Sequence, residues 1–365
     1  MTLVLAVVFV ALVFEFINGF HDTANSIATV VSTKVLTPRQ AILLAVITNL
    51  GGALWGTAVA KTIASGLVDV RVVTSEILVC ALLGAIAWNL ITWWAGLPSS
   101  SSHALVGGLC GGCLAAAHNN WSVIIWSVPA GKHWWEGKGL LWKVIVPMIT
   151  SPVCGLVLGF LMMALLYLIL RNWRPSTVAR VFGRAQLLSS ASMGFMHGTN
   201  DAQKTMGIIA LALLAATQAG AFRGLPGWLG FLRAAPPPTG QPLEIAIWIK
   251  VACALIMAAG TAAGGWRIIR TLGHKMVKLQ PVHGFAAETT SAAVICAATT
   301  LGIPVSTTHN ISAAIMGVGA AKNLTALNWT VVERMAWTWL LTIPISGGLA
   351  YVLVRVLQRL GWLLT

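Results

Sequence analysis

Acidic residues are scarce in this chain: nine Asp and Glu among 365 residues, against 23 Lys and Arg. Only 9% of side chains carry charge, where a water-facing surface wants roughly a quarter. That shortage excludes ordinary soluble domains, and with 57% apolar residues it excludes a disordered chain as well. No Lys/Arg block sits on a polar domain, so the net charge of +14 points to short basic loops on one face of a membrane rather than to nucleic acid. No basic stretch precedes the apolar N-terminus and no small-residue cleavage site follows it. The stretch runs instead into Glu15 and a polar motif, which predicts a retained first transmembrane segment. His-Glu-x-x-His, Gly-x-Ser-x-Gly and a nucleotide loop are all missing, which counts against a membrane enzyme. No ring of pore-lining charges suggests a channel. The six cysteines lie in apolar stretches, and Cys110-Gly-Gly-Cys113 has no second pair, so buried thiols are expected and no metal site.

What is present is a series of apolar runs of spanning length. They cover 2–31, 40–64, 75–96, 143–170, 186–213, 245–265, 285–301 and 330–357. Three shorter apolar pieces stand apart, at 98–117, 119–130 and 304–320. The first and last open on a proline and a run of hydroxyl residues, which predicts re-entrant or broken helices. Tryptophans such as Trp134, Trp135 and Trp142 suit the membrane interface.

The chain also repeats itself. Asn18-Gly-Phe-His-Asp-Thr-Ala-Asn-Ser26 returns as His197-Gly-Thr-Asn-Asp-Ala-Gln-Lys-Thr205, aligning Gly19 with Gly198, Asp22 with Asp201 and Ser26 with Thr205. Gly96-Leu-Pro-Ser-Ser-Ser-Ser-His103 returns as Gly302-Ile-Pro-Val-Ser-Thr-Thr-His309. The offset grows from 179 to 206 residues across a Pro-rich insertion between Pro226 and Pro242. Two motifs in the same order indicate an internal duplication. The expected division is a first repeat over 1–117 and a connecting stretch over 118–185, with one further membrane helix and a basic loop. A second repeat follows over 186–320, and a last membrane helix over 321–365.

Loop charge gives the orientation. Arg171, Arg174, Arg180 and Arg184 form one basic cluster; Arg267, Arg270, Lys275 and Lys278 form another, two spans away. With Lys34, Arg39, Arg355 and Arg359, twelve basic residues fall on the side made cytoplasmic. Eight fall opposite: Lys61, Arg71, Lys132, Lys138, Lys143, Arg223, Arg233 and Lys322. The same parity sends the two motif copies, and the two Pro-led hairpins, into the membrane from opposite faces. The fold expected is an all-α polytopic membrane protein with inverted-topology repeats, two opposed re-entrant hairpins and about 10–12 membrane segments.

Glu15, Asp22, Asp201 and Glu288 fall inside predicted membrane segments, where a charge costs several kcal/mol, about 2.5–3.5 near the centre. Asp22, Asn25 and Ser26 share one helix face, and Asp201, Lys204 and Thr205 repeat that spacing. The plain alternative is an ordinary Asp201–Lys204 ion pair within one turn. Pro98 and Pro304 suit a first helical turn, and Ser99 to Ser102 and Ser306 to Thr308 place hydroxyls beside the free N–H groups of a helix start. Two such starts meeting near the midplane would cradle an oxyanion such as phosphate or sulfate; helix capping alone is the plain alternative. Carboxylates next to an anion site call for a cation, H⁺ or Na⁺, loaded together with it, which is symport. His21, His103, His197 and His309 flank the four motif copies as candidate proton relays; His118, His133, His274 and His283 take no assignment.

These motifs resemble the inorganic phosphate transporter (PiT) family. Gly19-Phe-His-Asp-Thr-Ala-Asn25 and Gly198-Thr-Asn-Asp-Ala-Gln-Lys204 are similar to its Gly-x-Asn-Asp-x-Ala-Asn signature, and the two Pro-led runs and Phe285-Ala-Ala-Glu288-Thr resemble further motifs of the family. The resemblance spans nearly the whole chain. It implies an inverted-repeat symporter, not an enzyme and with no cofactor, that imports inorganic phosphate with a coupling cation and works as a homodimer. It implies Asp22, Asn25, Asp201 and Glu288 near the cation, and Ser101, Ser102, Thr307 and Thr308 at phosphate, with Thr23 and Ser26 close by. His21 stands where the signature often has Asn, and Gln203-Lys204 replace Ala-Asn. These departures, with the short loops, are more like bacterial members. They imply a multi-pass protein of the bacterial cytoplasmic membrane, proton coupling ahead of sodium, and phosphate carried alone or with a divalent metal.

Overall fold

The structure, a computed structural model, describes residues 1–65, 67–129, 137–234 and 243–361. Lys132, His133, Trp134, Trp135 and the part of the insertion from 235 to 242 lie outside the described residues. Twelve α-helices carry the described chain: α1 (Thr2–Ser32), α2 (Pro38–Ala53), α3 (Ala58–Ser65), α4 (Ser75–Ala95), α5 (Ser101–Ala116) and α6 (Val146–Leu170), then α7 (Pro175–Gln218), α8 (Ile247–Ala263), α9 (Trp266–Arg270), α10 (Pro281–Thr300), α11 (Thr307–Lys322) and α12 (Trp329–Arg359). Among the described residues the β-pairing consists of two isolated bridges.

The molecule is built inside out relative to a water-soluble protein. Its buried set includes Glu15, Asp22, Asp201, Lys204 and Glu288, while Leu161, Leu168 and Ile169 of α6 and Leu340, Val352 and Val356 of α12 face outward. A hydrocarbon surround makes that arrangement favourable, because apolar faces need no water and polar groups must find partners inside. Helices α1, α4, α6 (with the π-turn before it, Leu141–Ile145) and α12 are long and apolar enough to cross a bilayer by themselves. The count rises to six spans if α2 with α3, and α8 with α9 and its following π-turn, are each one broken span, bent by 67° and 59°.

Three stretches of the sequence reading take their form from local causes. The run at 40–64 is two helices, because the chain breaks at 54–57 and Gln203 of α7 reaches into the break. Its side-chain oxygen accepts from Val59 N–H at 2.8 Å and its amide donates to Trp55 carbonyl at 3.2 Å. The piece at 119–130 is no helix: a 3₁₀ turn over Trp121–Val123 leads into a bridge from Ile124 to Val68. The span expected over 186–213 belongs to α7, 44 residues long, about 66 Å at 1.5 Å per residue and so well beyond a hydrocarbon core. Its N-terminal turns carry exposed Arg180 and Arg184, too polar to read as part of a span.

Packing follows one exchange rule. Replacing α1 by α7, α2 by α8, α3 by α9, α4 by α10, α5 by α11 and α6 by α12, and the reverse, maps the contacting pairs onto one another: α1–α8 onto α2–α7, α1–α4 onto α7–α10, α5–α12 onto α6–α11, α4–α12 onto α6–α10. The close pairs rest on glycine. A Cβ on Gly260 would lie 2.2 Å from Phe16 carbonyl, and one on Gly52 would lie 2.0 Å from Phe195 carbonyl, so α1–α8 and α2–α7 approach backbone to backbone.

Candidate substrate and cation site

Both hairpin corners are made the same way. Helix α4 ends at Gly96 (φ +66°) and α10 is followed by Gly302 (φ +63°), left-handed conformations that suit glycine. The next N–H closes each end, Leu97 onto Thr92 carbonyl at 2.8 Å and Ile303 onto Ala298 carbonyl at 2.9 Å. Pro98 and Pro304 were expected in the first helical turn; they stand two residues before the caps instead, since Ser100 and Ser306 take the N-cap positions. Each serine oxygen accepts from the N–H three residues on, His103 at 3.2 Å and His309 at 3.1 Å. Capping therefore occupies Ser100 and Ser306, and Ser101, Ser102, Thr307 and Thr308 of the first turns project onward.

These first turns come together against α1 and α7. Thr308 donates to Asp22 Oδ1 at 3.3 Å and Thr307 to Asp201 Oδ2 at 2.9 Å. Asn25 Nδ2 donates to both threonine hydroxyls, at 3.2 and 2.9 Å. Ser102 faces the other corner, 3.5 Å from Val305 carbonyl. All of these side chains are buried. Three oxygens here have no protein donor or acceptor: Asn25 Oδ1, Ser26 Oγ and Ser101 Oγ. A buried polar atom left without a partner costs about 1–3 kcal/mol, so such a group in a functional cluster marks where a ligand can bind.

Each aspartate has a histidine. His21 Nδ1 lies 2.7 Å from Asp22 Oδ1, and His197 Nε2 lies 3.0 Å from Asp201 Oδ2. Both rings are held from behind: His21 by Thr92 at 3.2 Å, with Ser99 bonded to that threonine at 2.8 Å, and His197 by Asn49 at 2.7 Å. Ligand atoms of Asp22, His197 and Asp201 lie within 4.8 Å of one another, close enough to share one cation. Lys204 is fully buried as well, and its ammonium bonds Asp201 Oδ1, Ser102 Oγ and, at 2.9 Å, Val305 carbonyl. The Asp201–Lys204 ion pair weighed on the sequence thus forms, and it also reaches both hairpins.

Four assigned residues are placed elsewhere. Thr23 turns from the cluster and donates to Gly19 carbonyl at 2.6 Å, within reach of Thr261 carbonyl on α8 at 3.4 Å. One residue along a helix rotates about 100°, and that carries it off the Asp22 face. Glu288 sits two turns along α1 from Asp22, bonded by Thr29, Ser189 and Gln186. His103 and His309 pack on each other behind the tips, ring centroids 4.8 Å apart, with His309 stacked on Trp339 at 4.3 Å.

Some partners gave no motif signal. Asn49, Thr92, Gln186 and Ser189 enter only through the fold, and an Asn in the apolar run at 40–64 was the one visible hint; Ser99 belongs to the hydroxyl run already noted. Glu15, flagged as an intramembrane acid without a role, is bonded by Thr205, the α7 residue that repeats Ser26.

An all-helical membrane fold, two capped hairpin tips facing each other and paired aspartates between them define a transporter for a small anion. The family model described as "Phosphate transporter family" matches residues 18–350, and the chain belongs to that family. Its members are transporters and not enzymes. A relative from Bacillus subtilis (strain 168), named "Probable low-affinity inorganic phosphate transporter", is 42% identical over 97% of this chain and 98% of its own length. One of the same name from Rhizobium meliloti (strain 1021) is 41% identical over 94% and 93%. A solved structure titled "The sodium-dependent phosphate transporter" superposes with TM-score 0.78 at 24% identity, covering 98% of this chain and all of that one.

Proposed function

We propose that this protein is a secondary symporter that imports inorganic phosphate across a bacterial cytoplasmic membrane together with a cation. The observation that carries the reading is the first turn of α11, whose Thr307 and Thr308 donate to Asp201 and Asp22, with the first turn of α5 beside it, Ser102 bonded to Lys204 and facing Val305 carbonyl. Helix N-termini supply free N–H groups and positive dipole ends for phosphate oxygens. Ser101, Ser102, Thr307 and Thr308 add hydroxyls, with Ser26 on the facing helix and Thr23 behind it. Asp22, Asn25 and Asp201 hold the cation whose charge makes an anion beside two carboxylates affordable, and Glu288 tunes that end of α1. His21 and His197, each on an aspartate, suit a proton better than a metal; His103 and His309, packed on each other behind the tips, stand apart from these pairs.

Proton coupling is favoured over sodium coupling because each aspartate already has an imidazole nitrogen within 3.0 Å, and one has a lysine too. The sodium dependence in the structural neighbour's title belongs to that protein. The exchange rule in the packing supports a duplicated, inverted architecture in which α6 and α12 complete the repeats rather than connect or follow them. A homodimer rests on the family resemblance alone.

Purified protein in liposomes, given radiolabelled phosphate and separate proton and sodium gradients, tests this. Uphill uptake driven by the proton gradient is expected. Uphill uptake under sodium alone would replace the coupling ion, and purely downhill flux indifferent to both would replace the symporter with a channel.

A further inference from the structure

Lys204 is a buried charged group that the reading above leaves without a task of its own, and its surroundings are unusual. The side chain is 2% exposed, lies within the long helix α7, and brings its ammonium to three oxygens from three elements: Asp201 Oδ1 on α7, Ser102 Oγ on α5 and Val305 carbonyl before α11. One carboxylate, one hydroxyl and one backbone carbonyl, converging on a point charge, are a donor set for a small monovalent cation as much as for an ammonium. Asp201 has His197 and Thr307 at its other oxygen, so Oδ1 is the oxygen that the lysine takes up.

We infer that the Lys204 ammonium is a tethered cation: it fills, permanently, a monovalent-cation site that joins the two hairpin tips. The inference rests on the phosphate-symport reading and deepens it. A covalently held charge supplies the positive field at the anion site on every cycle and never dissociates, so one fewer mobile cation is required per phosphate. It also gives the site a built-in selectivity, because no solution ion can compete for those three oxygens. Removing the side chain back to Cβ should expose them.

The test is Lys204→Ala in proteoliposomes under an imposed pH gradient, with choline, sodium or potassium as the monovalent ion. Phosphate uptake in choline is expected to fall at least tenfold and to recover severalfold in sodium or potassium, whereas the wild type is indifferent to the three. Lys204→Met, which keeps the bulk and loses the charge, should be equally slow and not recover. In detergent, the unfolding temperature of Lys204→Ala should rise in sodium or ammonium chloride relative to choline chloride, and that of the wild type should not. A Lys204→Ala protein with no ion-specific uptake and no ion-specific thermal shift overturns the inference. So does one whose only defect is a raised KM for phosphate, since the lysine would then be an anion ligand. A wild type that takes up no phosphate removes the proposed function instead, and the thermal comparison still decides about the tethered cation.

Discussion

The rings of His103 and His309, the residues that end the two hairpin motifs 206 positions apart in sequence, meet edge to face with centroids 4.8 Å apart. Trp339 of α12 lies flat on His309 and donates its indole N–H to Pro98 carbonyl at 3.2 Å. One indole thus ties the corner of the first hairpin to the histidine of the second. Trp339→Phe keeps the stacking and loses that hydrogen bond. The expected cost is about 0.5–1.5 kcal/mol, read as a lower unfolding temperature in detergent, with slower phosphate uptake.

The two aspartates should respond differently to neutralisation. Asp22 is bonded by His21 and by the Thr308 hydroxyl and holds no fixed cation, so Asp22→Asn should insert and fold nearly as the wild type does. Asp201→Asn strands a buried ammonium, and breaking such a pair costs about 3–5 kcal/mol. Both should abolish concentrative uptake. Thermal unfolding should separate them, with only Asp201→Asn strongly destabilised, and full uptake in either variant would remove that residue from the cation site.

Matched caps make matched expectations. Ser100→Ala and Ser306→Ala each remove the one side-chain acceptor at the start of a hairpin helix, and each should lower stability by about 1 kcal/mol. Thr308→Val removes a donor to Asp22 and an acceptor from Asn25, and should raise KM for phosphate at least tenfold. Unchanged KM there would place the anion elsewhere.

Gly52→Ala puts a methyl 2.0 Å from Phe195 carbonyl, and overpacking of this kind costs about 1–3 kcal/mol. Gly348→Ala, with no atom within 4 Å of the new Cβ, should be silent. Unfolding temperatures of the two proteins, measured together, check the contrast.

The membrane class, most helix positions and the duplicated polar motifs were legible in the sequence, because apolar length and buried charge are local signals. The meeting of Thr307 with Asp201 was anticipated only as a mutual approach of two runs; which hydroxyl reaches which carboxylate depends on packing across more than a hundred residues. Thr23 shows the limit. The motif places it beside Asp22, and helix geometry turns it toward α8. The apolar run at 186–213 marks only part of α7, because a hydropathy window stops at Arg184 whereas the backbone hydrogen bonds of a helix continue through water. Asn49 and Gln186 are isolated polar residues whose partners lie on distant helices, and nothing in their own neighbourhood names them.

The crossed packing of α5 with α12 and of α6 with α11 has a bearing on biogenesis. The first hairpin helix is made early, yet the surface that covers it belongs to α12, which leaves the ribosome much later. Until then α5, only 16 residues long and rich in glycine, has an unfinished flank in the bilayer. A nascent chain arrested before Trp329 should therefore remain open to the membrane's quality-control proteases, and the arrival of α12 is the step that covers α5.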